Sequence, residues 1–83
     1  MRKALAKTTI STTTYKYRDG FFVDAVKHDD MWETYVWHKD YGVKDLMFGV
    51  DENQVESMDD LLDIIMANVE EYIFIYASQY IDL

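Results

Sequence analysis

The chain has 83 residues, no cysteine, no proline and a formal net charge of −8, with 49% hydrophobic and 16% aromatic residues. Such a length suits one small domain spanning 1–83, and so much apolar content excludes a disordered acidic tail. The lack of cysteine excludes disulfides and thiolate metal sites and sets the expectation of a reducing, cytoplasmic compartment, while the charge argues against direct binding to nucleic acid or to anionic membranes.

The first residues, Met1-Arg2-Lys3-Ala4-Leu5-Ala6-Lys7, have the basic opening of a signal peptide, but the polar run Thr8 to Thr14 stands where an apolar core would be needed. Residues 1–8 therefore read as a frayed basic end, followed by a sheet over 9–50 and a helix over 57–81. Asp19-Gly20 between Tyr15-Lys16-Tyr17-Arg18 and Phe21-Phe22-Val23 signals a tight hairpin, because a type I′ turn needs positive φ at both central residues. Asp29-Asp30 marks a weaker turn. Lys39-Asp40-Tyr41-Gly42 suits a four-residue loop with Gly42 in the left-handed position. These breaks predict four antiparallel strands in meander order, near Thr9–Tyr17, Phe21–His28, Met31–His38 and Val43–Val50.

Carried through those turns, the register predicts two faces. One holds Tyr17-Phe22-Trp37, Tyr15-Asp24-Tyr35-Leu46, Val26-Glu33-Phe48, and Met31 with Val50. The other holds Phe21-His38-Val43, Val23-Val36-Asp45, Ala25-Thr34-Met47, and Trp32. Both faces are substantially apolar, yet the chain supplies a single helix to cover them.

That helix starts after the N-cap residue Ser57, with Asp59, Asp60 and Asp63 near its positive dipole end. At about 100° per residue, Met58, Leu61, Leu62, Ile65, Met66, Val69, Tyr72, Ile73, Tyr76 and Tyr80 fall on one side. The run Tyr72 to Tyr76 has strand-like composition, and Asn68 is a candidate break. No glycine or proline interrupts the segment, so a continuous helix to about Ile81 is predicted. The fold class is α+β: a four-stranded antiparallel meander sheet followed by one long C-terminal helix packed on one face. The longest uncharged apolar run, Tyr72 to Ala77, is far short of the roughly 18 residues of a membrane span.

Charge is unevenly placed. All eight Lys and Arg lie within residues 1–44 beside six acids, whereas residues 45–83 hold ten acids and no Lys, Arg or His. Asp51, Glu52, Glu56, Asp59, Asp60, Asp63, Glu70 and Glu71 form an acidic strip, which reads either as a solvated face or as a recognition surface. Phe74, Ile75 and Ile81 point away from the predicted core stripe, and with Trp37 and Tyr35 they are the candidate partner-binding anchors.

Catalytic, cofactor and metal sites are not expected. His28 and His38 are predicted at opposite ends of their hairpin, too far apart to share a metal. Asp51-Glu52-Asn53-Gln54 and Glu56 lack the spacing of a calcium loop. Asp24 and Glu33, in adjacent rows of one face beside Tyr35 and Trp37, read as a carboxylate pair with acid–base potential through raised pKa values, but a flat four-stranded surface offers no evident pocket for it.

The expectation is a small acidic, non-enzymatic protein-binding module that self-associates as a homodimer. A basic, nucleic-acid-binding protein is the kind of partner its charge would suit. The alternative is an inhibitor that mimics nucleic acid and blocks a DNA- or RNA-handling enzyme, as an anti-restriction or anti-nuclease protein of a phage or mobile element would.

Overall fold

The structure is a computed structural model that describes residues 10–82. The expectation that residues 1–8 fray lies outside the described residues. Four strands, β1 (Ile10–Lys16), β2 (Phe21–His28), β3 (Met31–His38) and β4 (Lys44–Asp51), form one antiparallel sheet in the order β1-β2-β3-β4. A 3₁₀ turn at Glu52–Gln54 leads to α1 (Met58–Tyr76), which continues as a π-helical turn over Ala77–Ile81. The predicted α+β meander with one C-terminal helix is the observed fold.

The first hairpin turns through Asp19 and Gly20, whose φ values are 54° and 86°. Two backbone bonds then set the pairing: Phe21 N–H donates to Arg18 C=O and Tyr17 N–H donates to Phe21 C=O, both at 2.9 Å. Tyr17 and Arg18 thus share one opposite residue, and this bulge shifts β1 by one position. The pairs are Lys16 with Phe22, Tyr15 with Val23 and Thr14 with Asp24. The predicted rows Tyr17-Phe22 and Tyr15-Asp24 are therefore corrected, because a one-residue slip carries every side chain of the strand to the other face.

The β2–β3 register is as predicted, from Phe21 opposite His38 to His28 opposite Met31. The loop before β4 places Gly42 at φ 70°. Tyr35 opposite Leu46 and Val36 opposite Asp45 hold as predicted, then the ladder slips at Thr34/Tyr35. Beyond it Thr34 pairs with Phe48, Glu33 with Gly49, Trp32 with Val50 and Met31 with Asp51. This corrects the predicted rows Thr34-Met47 and Glu33-Phe48 and moves Val50 to the face opposite Met31. The irregularity lets two successive apolar residues lean the same way: Met47 is buried and Phe48 packs half-buried against the core. The Thr34 hydroxyl donates to the Phe48 carbonyl at 3.0 Å, satisfying a backbone acceptor there.

Helix α1 covers the face carrying Phe21, Val23, Ala25, Val36 and Met47 with Leu61, Ile65, Val69, Ile73 and Tyr76, all buried. Ser57 caps it, accepting from Asp60 N–H at 3.2 Å, while the Asp60 carboxylate accepts from Glu56 N–H at 2.9 Å. Asn68 does not end the helix; its side-chain amide donates to the Ile64 carbonyl at 2.8 Å. Met66, predicted on the core side, is 50% exposed because it sits at the margin of the buried stripe. Among the described residues, no helix is long and apolar enough to cross a membrane.

Candidate functional site

The sheet face away from α1 is aromatic, but its aromatics already have partners. Phe22 stacks on Trp37 with ring centroids 4.5 Å apart and planes 15° from parallel, and the Lys44 ammonium lies 4.8 Å from the Trp37 ring centroid. Phe22, Trp37 and Lys44 occupy one cross-strand row, so the indole is held between its two neighbours. Its Nε1–H donates to Asp24 at 3.0 Å. Asp24 also accepts from Thr14 and from Lys44, each at 2.8 Å, and is only 4% exposed.

Burial by itself raises the Asp24 pKa, but the hydrogen bonds from Lys44, Trp37 and Thr14 together outweigh it and hold the carboxyl below its ordinary value. The raised value expected for a general acid at Asp24 is thereby corrected. Glu33 accepts from the Tyr35 hydroxyl at 3.0 Å and lies 3.1 Å from His28 Nε2. Asp24 and Glu33 are thus engaged locally, leaving Leu46, 56% exposed, as the most accessible large apolar residue of this face among the described residues.

His38 is held at both ring nitrogens. Nε2–H donates to the Asp19 carbonyl at 3.0 Å and Nδ1 accepts from Asp40 N–H at 3.1 Å, while Phe21 and Tyr41 meet the ring edge-on. Together these contacts tie the β1–β2 turn to the β3–β4 loop. As predicted, His28 and His38 lie at opposite ends of their hairpin. Among the described residues, no three His, Asp or Glu side chains are grouped so as to hold a metal ion.

The outward surface of α1 is the second candidate. Phe74 is 73% exposed and Ile75 42% exposed on an unbroken helix. Ile81, predicted with them, instead packs half-buried against the core. The five predicted anchors thus do not form one surface: Phe74 and Ile75 lie exposed on the helix, Tyr35 and Trp37 lie across the sheet, and Ile81 packs half-buried against the core.

The acidic strip is divided in a similar way. Glu70 receives a two-pronged contact from Arg18, Nε to Oε2 at 2.9 Å and Nη2 to Oε1 at 2.5 Å, and a hydrogen bond from the Tyr17 hydroxyl at 2.6 Å. These donors, Arg18 first, hold its pKa down to about 2. Glu52 pairs with Lys27 at 3.1 Å, and Asp51 caps the 3₁₀ turn by accepting from Asn53 N–H. Glu56, Asp59, Asp60, Asp63 and Glu71 are exposed and make no ion pair among the described residues. The sequence reading missed Arg18 as the partner of Glu70. A cation in a hairpin turn carries no local signal of a carboxylate 52 residues later.

Comparison with protein-family models, with curated proteins and with solved structures finds no match to this chain.

Proposed function

We propose that this protein is a small, non-catalytic protein-binding module that self-associates through the outer surface of α1. The supporting observation is Phe74, a large aromatic side chain 73% exposed within residues 72–81, which carry no charged residue. An aromatic on a rigid helix is a low-entropy anchor, and burying one ring against a partner is worth about 2 kcal/mol or more. The open sheet face is the weaker candidate because Trp37 and Tyr35 already engage their polar groups, and Trp37 its ring faces, within the chain.

The experiment is light scattering across a concentration series. Wild type is expected to rise towards twice the 9.9 kDa chain mass, with little dependence on salt, and Phe74→Glu is expected to stay at the single-chain mass. A wild-type chain that remains monomeric throughout rejects the reading.

The exposed acids that make no ion pair among the described residues favour a second reading, a nucleic-acid-mimicking inhibitor of a DNA- or RNA-handling enzyme. Asp59, Asp63 and Glu71 would carry it, since Glu52 and Glu70 are engaged within the fold. It predicts a heterologous complex that weakens steeply with salt and is lost in Asp59→Lys with Asp63→Lys.

A further inference from the structure

We infer that His38 is a pH-sensitive latch: its neutral ring holds the β3–β4 loop through the Asp40 N–H, and protonation of Nδ1 breaks that bond and hands the loop to the Asp40 carboxylate. The latch lies at the far end of the sheet from the start of α1 and does not depend on self-association.

The two ring nitrogens have partners whose roles cannot be exchanged. The Asp19 carbonyl, 3.0 Å from Nε2, can only accept, and the Asp40 N–H, 3.1 Å from Nδ1, can only donate. Together they require the neutral tautomer with its hydrogen on Nε2. A second proton can be taken up only by the Nδ1 lone pair, where it meets the Asp40 N–H donor to donor. The imidazolium therefore keeps its bond to Asp19 and loses its bond to Asp40.

The surroundings decide which partner moves. The His38 side chain is 12% exposed, with Phe21 and Tyr41 meeting the ring at 82° and 74° and centroids 4.8 Å and 5.2 Å away. Gly20 stands so close that a Cβ on it would lie 2.7 Å from Nε2. The ring is walled in, so the loop yields. Asp40 also supplies the replacement contact: its Oδ2 lies 3.9 Å from Nδ1, on a side chain 67% exposed with solvent in which to turn. The bonds from Lys39 N–H to the Gly20 carbonyl and from Tyr41 N–H to the His38 carbonyl do not involve the ring, which confines the rearrangement to the loop around Asp40.

Other charged and titratable groups around His38 are already committed. Arg18 and Asp19 of the first turn pair with each other at 2.6 Å, and the Tyr76 hydroxyl of α1 bonds the Val43 carbonyl and the His38 N–H. Lys39 and Tyr41 flank Asp40 in the loop, and neither provides an acceptor for the new Nδ1 hydrogen.

Histidine ordinarily changes charge between about pH 5 and 8, so NMR titration of the isotope-labelled chain across that range tests the latch. At the alkaline end, Nδ1 is expected to be the unprotonated nitrogen and the Asp40 amide to be protected from exchange. As the His38 ring titrates, the Asp40 amide is expected to shift with the same midpoint and lose its protection, while the Val23 and Val36 amides of the sheet stay unchanged. Asp40→Asn keeps the N–H but removes the acceptor of the new hydrogen, and is expected to lower that midpoint by roughly 0.2–0.7 of a pH unit. His28→Gln, at the other end of the hairpin, is expected to leave the transition intact. A neutral ring carrying its hydrogen on Nδ1, or an Asp40 amide that does not follow His38, overturns the latch. So does loss of the transition in His28→Gln. An unchanged midpoint in Asp40→Asn overturns the transfer to the carboxylate.

Discussion

The Tyr76 hydroxyl donates a hydrogen bond of 2.6 Å to the carbonyl of Val43, at the entry to β4. Its oxygen also accepts from His38 N–H at 3.4 Å, and the residue is fully buried against Phe21 and Tyr80. One phenol thereby satisfies backbone groups on either side of the β3–β4 loop and pins the helix end to the sheet. Tyr76→Phe keeps the ring but leaves the Val43 carbonyl without this donor and removes the bond at the buried hydroxyl. A loss of roughly 1–3 kcal/mol is expected from urea unfolding of the two proteins.

Acid should weaken the contact between the first hairpin and the helix. Glu70 titrates at about 2 in the folded chain, below the ordinary 4.5 of a glutamate. A lowered folded value means stability that is present above the unfolded pKa and lost as pH falls from about 4.5 to about 2. Both groups are solvent-exposed, so screening keeps the effect small. Urea midpoints at pH 7 and pH 3 are expected to differ less in Glu70→Gln than in wild type, and equal pH responses would remove the assignment.

The buried carboxylate on the open sheet face should be structurally costly to delete. In Asp24→Ala, the Trp37 indole N–H, the Thr14 hydroxyl and the Lys44 ammonium all lose their acceptor at once. A destabilisation of about 2–4 kcal/mol is expected, with Asp24→Asn losing less because its amide oxygen still accepts. Tryptophan fluorescence should report a change around Trp37 in both variants. A near-neutral Asp24→Ala would show that this network adds nothing to the fold.

Gly20 should resist even the smallest side chain. Its φ of 86° disfavours an L-residue, and a Cβ there would stand 2.7 Å from His38 Nε2. The ring cannot retreat without giving up its bonds to Asp19 and Asp40. Gly20→Ala is expected to lower stability by roughly 2–3 kcal/mol, combining left-handed strain with overpacking. Thermal unfolding of the single variant checks this, and an unchanged midpoint would mean the clamp is slack.

Local chemistry in the sequence determined the number and order of elements. Asp-Gly can supply two positive φ values at the first turn, Ser57 caps a helix, and an apolar period near 3.6 with no proline or glycine keeps α1 continuous through its strand-like stretch. The exposure of Phe74 was legible for the same reason, since helical geometry alone places it away from Leu61, Ile65, Val69 and Ile73. Tertiary structure decided the register of both edge strands, because alternation says which residues share a face but not where a ladder absorbs an extra residue. Arg18 and Met47 sit at those two irregularities, and each moved a set of side chains across the sheet. It also decided which acids remain available. Glu70 and Glu52 find cations that lie far away in the chain: the packing of α1 across the sheet brings Glu70 to Arg18, and the pairing of β2, β3 and β4 brings Glu52 to Lys27.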